Sequence, residues 1–218
     1  MSELPDAPPP SAEELARLPV FPLPRVVFFP NTLLPLHLFE PRYRAMIEDC
    51  MSKGPEVMAV SMLTAGSGFG GQPAFKLVSG VGRIVAHERN ANGTHNIVLR
   101  GLVRARLEEL PTETPYRVAR ATPLPSHGVA RASDVQALLA CATSVAAVVR
   151  QQHPEFSLGV GAGDAPEVIA DAIADRFVSD TDQRQAILEA LDVGERLGLV
   201  TDSVGELLAM VASRGEPS

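Results

Sequence analysis

Closely spaced prolines constrain the start of this chain more than any other feature of its sequence. An apolar run from Leu18 to Pro30 carries prolines at positions 19, 22, 24 and 30. Proline has no backbone N–H and clashes with a preceding helical turn, so a helix is excluded here and strands are confined to short or edge pieces. Thr32 to Phe39 predicts a second short strand.

One helix and one buried strand are predicted next. Pro41 suits the first turn of a helix that extends to about Ser52. Its apolar stripe is formed by Tyr43, Met46, Ile47 and Cys50. Val57 to Leu63 is apolar throughout and predicts a strand, and a glycine-rich loop follows over residues 65–73.

A long hairpin is predicted from Phe75 to Leu107. Asn92-Gly93 predicts a two-residue turn within it. On the returning arm the odd-numbered positions from 95 to 107 are predicted to face a core, and the even-numbered positions to face water. The predicted wet face carries Asn96, Arg100, Arg104 and Arg106. Glycines 80, 82 and 101 predict bulges or barrel corners.

These patterns divide the chain into an arm, a barrel and a helical part. Residues 1–16, with three consecutive prolines and several acids, predict a flexible arm. Residues 17–125, ending with a strand from Tyr116 to Pro123, predict a small, strongly bent, mainly antiparallel barrel. Residues 126–218 predict a helical bundle, so the expected fold class is α+β.

The helical part is predicted from its periodicity and from three pairs of residues with capping-box spacing. The pairs are Ser133 with Gln136, Asp164 with Glu167, and Ser203 with Glu206. The predicted helices are 133–152, 165–178, 181–199 and 203–213. Charge supports the division, because residues 1–125 carry 13 basic and 12 acidic side chains whereas residues 126–218 carry 6 and 14.

Composition narrows the function classes and the setting. A net charge of −7 disfavours unspecific nucleic-acid binding, which depends on neutralising phosphates. The two cysteines, Cys50 and Cys141, lie among apolar neighbours and predict reduced thiols rather than a disulfide scaffold. No stretch of eighteen consecutive apolar residues and no signal-peptide pattern occurs. We therefore expect a cytoplasmic protein without a membrane span.

Three blocks of sequence resemble one known family. The first, Leu18 to Arg44, contains Leu-Pro-Val-Phe-Pro-Leu, a Phe-Phe-Pro step, Leu-Pro-Leu and Phe-Glu-Pro-Arg-Tyr. The second is the hairpin from Val81 to Arg104, and the third is Gln185 to Leu197. In this order they resemble the amino-terminal, substrate-binding domain of Lon-type ATP-dependent proteases, in a short stand-alone form.

The resemblance implies a fold and a role. It implies a PUA-like pseudo-barrel followed by helices, and a role in contacting polypeptides. Longer members of the family continue into an ATPase module and a protease module, and we expect neither module in this chain. The partners implied are unfolded or extended polypeptides, with a protease or a chaperone as a further partner. The oligomeric state is left open.

Catalytic and cofactor motifs are then weighed against this expectation. Gly66, Gly68 and Gly71 match Gly-x-Gly-x-x-Gly, but the predicted strand that follows offers no helix end to a pyrophosphate. A Ser–Lys pair would need Lys53 or Lys76, the only lysines. His87 and His95 fall on opposite faces if the turn has two residues, so no shared metal is expected. We expect no catalytic residue, no cofactor and no metal.

Two candidate binding features remain. Phe69 in the glycine-rich loop is a candidate for polypeptide recognition, and barrel edges can also accept an added strand. Arg100, Arg104 and Arg106 on one wet face form a candidate RNA surface, although the chain offers few stacking aromatics. The preferred prediction is a non-catalytic polypeptide-binding or adaptor protein, and the alternative is an RNA-binding module using the arginine strand.

Overall fold

The computed structural model describes residues 7–67 and 72–214. The strands are β1 (Leu18–Leu23), β2 (Leu33–Leu38), β3 (Val57–Ser67), β4 (Pro73–Phe75), β5 (Val78–Arg89), β6 (His95–Leu110) and β7 (Arg117–Pro123). The helices are α1 (Ala12–Ala16), α2 (Pro41–Lys53), α3 (Ala132–Val149), α4 (Pro166–Phe177), α5 (Thr181–Glu189) and α6 (Val193–Arg214). Between Pro125 and Ser126 the chain divides into two compact units. The α+β class is confirmed.

The first unit is built on a bent sheet that closes on itself. Neighbouring strands follow the order β1-β7-β6-β5-β3, and β3 pairs back with β1 in parallel. The other pairings in this ring are antiparallel. The prolines of β1 are tolerated because each partner covers only part of this short strand: β7 pairs with residues 18–20 and β3 with residues 20–23.

Two apolar clusters fill the first unit. The larger one contains the predicted stripe of α2, and Met46 and Ile47 in it are fully buried. The glycines of β5 and β6 make room for the proline-rich segment, because a Cβ at Gly82 would overlap the ring of Phe28. A β-bulge at this point of the β5–β6 ladder confirms the bulge that the glycines predicted.

The predicted flexible arm is wrong at its carboxyl end. Ser11 caps α1 with a complete capping box, in which its side chain and that of Glu14 exchange bonds with the backbone. Leu15 is buried in the second apolar cluster, and Glu14 forms an ion pair with Arg83 at 2.9 Å. Residues 11–16 therefore belong to the first unit, since an apolar side chain and an ion pair hold them on the sheet.

The second unit consists of helices, with boundaries that differ from the prediction. The predicted helix 181–199 breaks at residues 190–192, because the Leu191 carbonyl and the Val193 N–H bond to the backbone of His127. α6 then begins at Val193, with the Asp192 side chain accepting from the backbone N–H of Glu195 at 2.9 Å.

The three predicted capping boxes do not form. Arg131 and Ala165 occupy the N-cap positions of α3 and α4, and neither makes a side-chain cap. Ser203 lies inside α6 and donates to the carbonyl of Leu199 at 3.0 Å. The spacing alone was a weak signal, because the same residue types also bond within helices.

One helix in the described part of the chain, α3, is long and apolar enough to cross a membrane by length and composition alone, with a mean hydropathy of 1.6. It packs against α6 and α4, and Leu138, Ala142 and Val145 are buried. Only 22% of this helix is buried, and a single helix of this length and composition does not by itself assign a membrane segment.

Candidate functional site

A groove lies on the outward face of β2, β6 and β5. Its floor is a row of three apolar side chains that cross-strand pairing places side by side, Pro35 on β2, Val98 on β6 and Ala86 on β5. Small side chains in a row leave a depression between the larger residues on either side, and its volume is about 470 Å³. We call this depression, with its floor row, the outer groove.

A row of polar side chains borders the outer groove at the hairpin end. His37, Asn96 and Glu88 are paired across the same three strands, one step further along each. His37 Nδ1 lies 2.7 Å from Asn96 Oδ1, and Asn96 Nδ2 donates to Glu88 Oε2 at 3.3 Å. Phe39 stacks beside His37 with ring centroids 6.2 Å apart, and 63% of Phe39 is exposed. An exposed aromatic ring therefore lies next to the polar row, beside His37.

The edge strand next to the groove is poorly suited to strand addition. Gly101 donates to the Thr32 carbonyl at 2.9 Å. In the alternating pattern of an antiparallel ladder, the backbone N–H and C=O groups at positions 33, 35 and 37 then point away from β6, toward the free edge of β2. Pro35 has no backbone N–H, so the middle one of these three edge positions has no hydrogen-bond donor for an added strand. This edge therefore offers an extended ligand fewer backbone hydrogen bonds than an edge strand without proline would.

The turn of the hairpin differs from the predicted one by a single residue. The N–H of Gly93 donates to the Asn90 carbonyl at 2.9 Å and Gly93 has a φ of 79°, which gives a three-residue loop. His95 consequently pairs with Arg89 rather than with Asn90. The prediction that His87 and His95 lie on opposite faces is wrong, because a one-residue shift in register moves a side chain to the other face.

The two histidines form a hydrogen-bonded pair, and His87 is also one of the residues that line the outer groove. His87 Nε2 lies 2.8 Å from His95 Nδ1, and the rings are inclined by only 14°. Burial lowers the pKa of His95, and the neighbouring His87 lowers it further, whereas Glu48 opposes the shift. Within residues 7–67 and 72–214, no group of three or more His, Cys, Asp or Glu side chains is placed to hold a metal ion.

A bulge in β6 changes which way its side chains point. Gly82 pairs with Gly101 and Val81 pairs with Val103, so Leu102 is an extra residue. The odd-numbered residues on either side of the bulge consequently reach different clusters. Ile97 and Leu99 lie in the larger apolar cluster, whereas Ala105 and Leu107 lie in the second.

The prediction that the arginines of β6 share one water-facing side of the strand is therefore wrong. Arg104 is only 4% exposed, Arg100 is half-buried, and Arg106 is exposed beyond the bulge. On the next strand, Arg117 is 7% exposed and bonds both oxygens of Glu109 at 2.6 Å. These side chains share no cationic surface, so the RNA-binding alternative loses the arrangement on which it depended.

Phe69, the predicted polypeptide-binding residue, lies outside the described residues.

Two serines near Lys76 and the thiol of Cys50 are the groups to compare with the nucleophile of a Ser–Lys pair. Ser79, three residues after Lys76, donates its hydroxyl to the Lys76 carbonyl at 3.0 Å rather than to the amine. Ser61 donates to the same carbonyl at 2.7 Å. Burial raises the pKa of Cys50 to about 12, so its thiol stays protonated at neutral pH. None of these side chains is activated for attack.

Sequence reasoning missed the outer groove, although one signal was present. Val98 is an apolar residue between Asn96 and Arg100, in the series predicted to face water. An apolar side chain at a wet position marks a contact surface when others join it. Pro35 and Ala86 join it only through strand pairing, which the sequence did not disclose.

The matching sequence family agrees with the fold. The profile of the ATP-dependent protease La (LON) substrate-binding domain matches residues 17–205. The chain therefore belongs to the family of LON substrate-binding domains, as its sequence blocks indicated.

Curated relatives are much longer proteins. Lon protease 2 of Sorangium cellulosum is 29% identical over an alignment of 219 positions, which covers 96% of this chain and 27% of that protein. Lon protease of Escherichia coli is 26% identical over 191 residues, covering 86% of this chain and 24% of the relative. The chain thus spans about a quarter of the length of these relatives.

Solved structures show the same fold. The N-terminal domain of Mycobacterium avium complex Lon protease has a TM-score of 0.67 and 18% identity, covering 87% of this chain and 98% of that domain. The Lon N-terminal domain protein from Xanthomonas campestris has a TM-score of 0.61 and 20% identity, covering 89% and 98%.

Proposed function

We propose that this chain is a non-catalytic polypeptide-binding protein that recognises unfolded or extended segments in the outer groove and acts as an adaptor. The observation that carries the proposal is the outer groove itself: an apolar floor with a polar rim on a sheet face, in a chain of the LON substrate-binding family. Apolar floors of this kind favour side chains that folded proteins hide, whereas a polar rim holds the ligand backbone in place.

The proposal includes a cellular compartment and a class of binding partner. We place the protein in the cytoplasm, because both cysteines are free thiols and one is buried. The bound polypeptide is the first partner, and a protease or chaperone that receives it is the second. Neither ATP hydrolysis nor peptide cleavage is expected from the purified chain, and robust casein cleavage that survives repeated purification would contradict the proposal.

Binding is tested by placing a charge in the groove floor. Val98→Asp should weaken binding to a reduced and alkylated, permanently unfolded protein by about tenfold, since burying a ligand against a carboxylate is costly. Val129→Asp is the matched control, because Val129 is 92% exposed and lies outside the groove. Fluorescence anisotropy gives both dissociation constants. Equal binding by wild type and Val98→Asp would remove the groove as the site.

A further inference from the structure

The polar end of the outer groove carries an uncompensated negative charge. Glu88 is exposed, and its carboxylate accepts from the amide of Asn96 at 3.3 Å. Among residues 7–67 and 72–214, Glu88 forms no ion pair. The amide fixes the position of the carboxylate without neutralising it, because an amide carries no charge.

At the opposite end of the groove, one of the two arginines next to the floor row is already neutralised within the fold. Beyond the floor row, Arg100 pairs with Leu33 on one side and with Arg83 on the other. Arg83 is bonded to Glu14 through both guanidinium nitrogens, at 2.9 and 3.1 Å. Its charge is therefore balanced within the fold, whereas that of Glu88 remains available for a ligand.

The spacing of the two rows matches an extended peptide. Ala86 and Glu88 are two residues apart on one strand, and such residues lie about 6.8 Å apart on the same face. A peptide that runs along the strands also repeats its side chains every two residues on one face. One side chain of the peptide can then contact the floor row, while the side chain two positions away contacts the polar row.

We propose that the outer groove selects extended segments in which an apolar residue and an arginine or lysine lie two positions apart. The apolar side chain occupies the floor of Pro35, Val98 and Ala86, and the cation pairs with Glu88. This inference rests on the proposed function, since it names the class of polypeptide that the same site prefers.

The test compares two labelled, unstructured peptides in fluorescence anisotropy with the full chain. One contains several Phe-Ser-Arg units and the other has Gln in place of each Arg. Wild type should bind the arginine peptide about threefold more tightly, the size expected for an exposed ion pair. Glu88→Gln should bind both peptides equally, and Glu88→Arg should prefer a peptide with Phe-Ser-Glu units.

A matched control separates a local contact from general attraction to an acidic protein. Glu113→Gln removes the same charge from an exposed position outside the groove, so it should keep the threefold preference. Preference that survives in Glu88→Gln, or that disappears equally in Glu113→Gln, would overturn the inference.

The outcomes also separate this inference from the proposed function. If both peptides bind equally to wild type and Val98→Asp weakens the binding of both about tenfold, the groove is the site but the preference for a cation is absent. If neither peptide binds wild type, or Val98→Asp has no effect, the proposed function fails and the preference fails with it.

Discussion

Two neighbouring arginines of β7 show how burial decides the role of a charge. Arg117 is 7% exposed, and it donates to both carboxylate oxygens of Glu109. It also donates to the Pro73 carbonyl at 2.7 Å, and its guanidinium carbon lies 4.2 Å from the centre of the Phe75 ring. Arg120 contacts Glu108 at 2.9 Å, but both side chains are more than half exposed. Removing one partner of a buried ion pair leaves an unpaired buried charge, which strongly lowers the free energy of unfolding, whereas an exposed ion pair contributes little to stability.

Arg117→Ala should lower the free energy of unfolding by about 3 kcal/mol, because Glu109 would stay largely buried without its cation. Arg120→Ala is the control and should cost less than about 1 kcal/mol. Urea titrations of wild type and both variants measure the difference. Similar losses in the two variants would contradict the assigned roles.

His95 gives the first unit a specific dependence on pH. Burial and the facing His87 lower the pKa of His95 below 6.5, so the folded state binds fewer protons than the unfolded state. Its contribution to stability is therefore complete above pH 6.5 and is lost as the pH falls through the folded pKa. The fall in stability from pH 7.5 to pH 5 should be smaller in His95→Gln than in wild type.

The control for this pH dependence is His153→Gln, because His153 is exposed in the second unit. Its urea midpoint should follow the wild-type pH dependence. The assignment to His95 fails if His95→Gln loses as much stability as wild type over the same pH range.

At the scale of elements, glycines have opposite consequences in the sheet and in the helices. A Cβ at Gly101 would overlap the carbonyl oxygen of Phe29, whereas a Cβ at Gly198 would meet no atom within 4 Å. Gly101 lets β6 pass close beneath the proline-rich segment, and Gly198 only adds backbone freedom to α6.

Gly101→Ala should therefore destabilise the protein by about 3 kcal/mol or abolish folding, since the backbone would have to move. Gly198→Ala should stabilise it by about 0.5–1 kcal/mol, the usual gain inside a helix. Thermal unfolding followed by circular dichroism compares the two variants. A neutral Gly101→Ala would disprove the close approach.

At the scale of the whole molecule, each unit has an interior of its own. The two apolar clusters of the first unit draw on residues from Leu15 to Ala121 only. The second unit buries apolar residues of α3, α4, α5 and α6, and it also contains Arg196, which is fully buried and donates to the Ala190 carbonyl at 2.9 Å.

Residues 7–125 alone should consequently fold and unfold cooperatively, because their core needs no residue from the second unit. They should also bind the Phe-Ser-Arg peptide as the full chain does, since all lining residues of the outer groove lie within them. Urea unfolding followed by circular dichroism tests the first expectation and anisotropy the second. A fragment that unfolds without a cooperative transition would contradict the expectation that residues 7–125 fold alone.

The sequence by itself determined the class of fold, the stripe of α2 and the family. Local patterns carried these features: prolines that exclude a helix, apolar residues that repeat on one face, and ordered motif blocks. The same patterns could not place the break between α5 and α6, because a backbone bond to His127, more than sixty residues earlier in the chain, creates it.

Only the tertiary structure decided which side chains meet. A three-residue turn instead of a two-residue turn brought His87 to His95, and one extra residue at Leu102 separated Arg100 from Arg104. Strand faces have a period of two, so one residue of register reverses every assignment beyond it. The outer groove exists for the same reason: its floor joins three strands, and the sequence shows each of them only by itself.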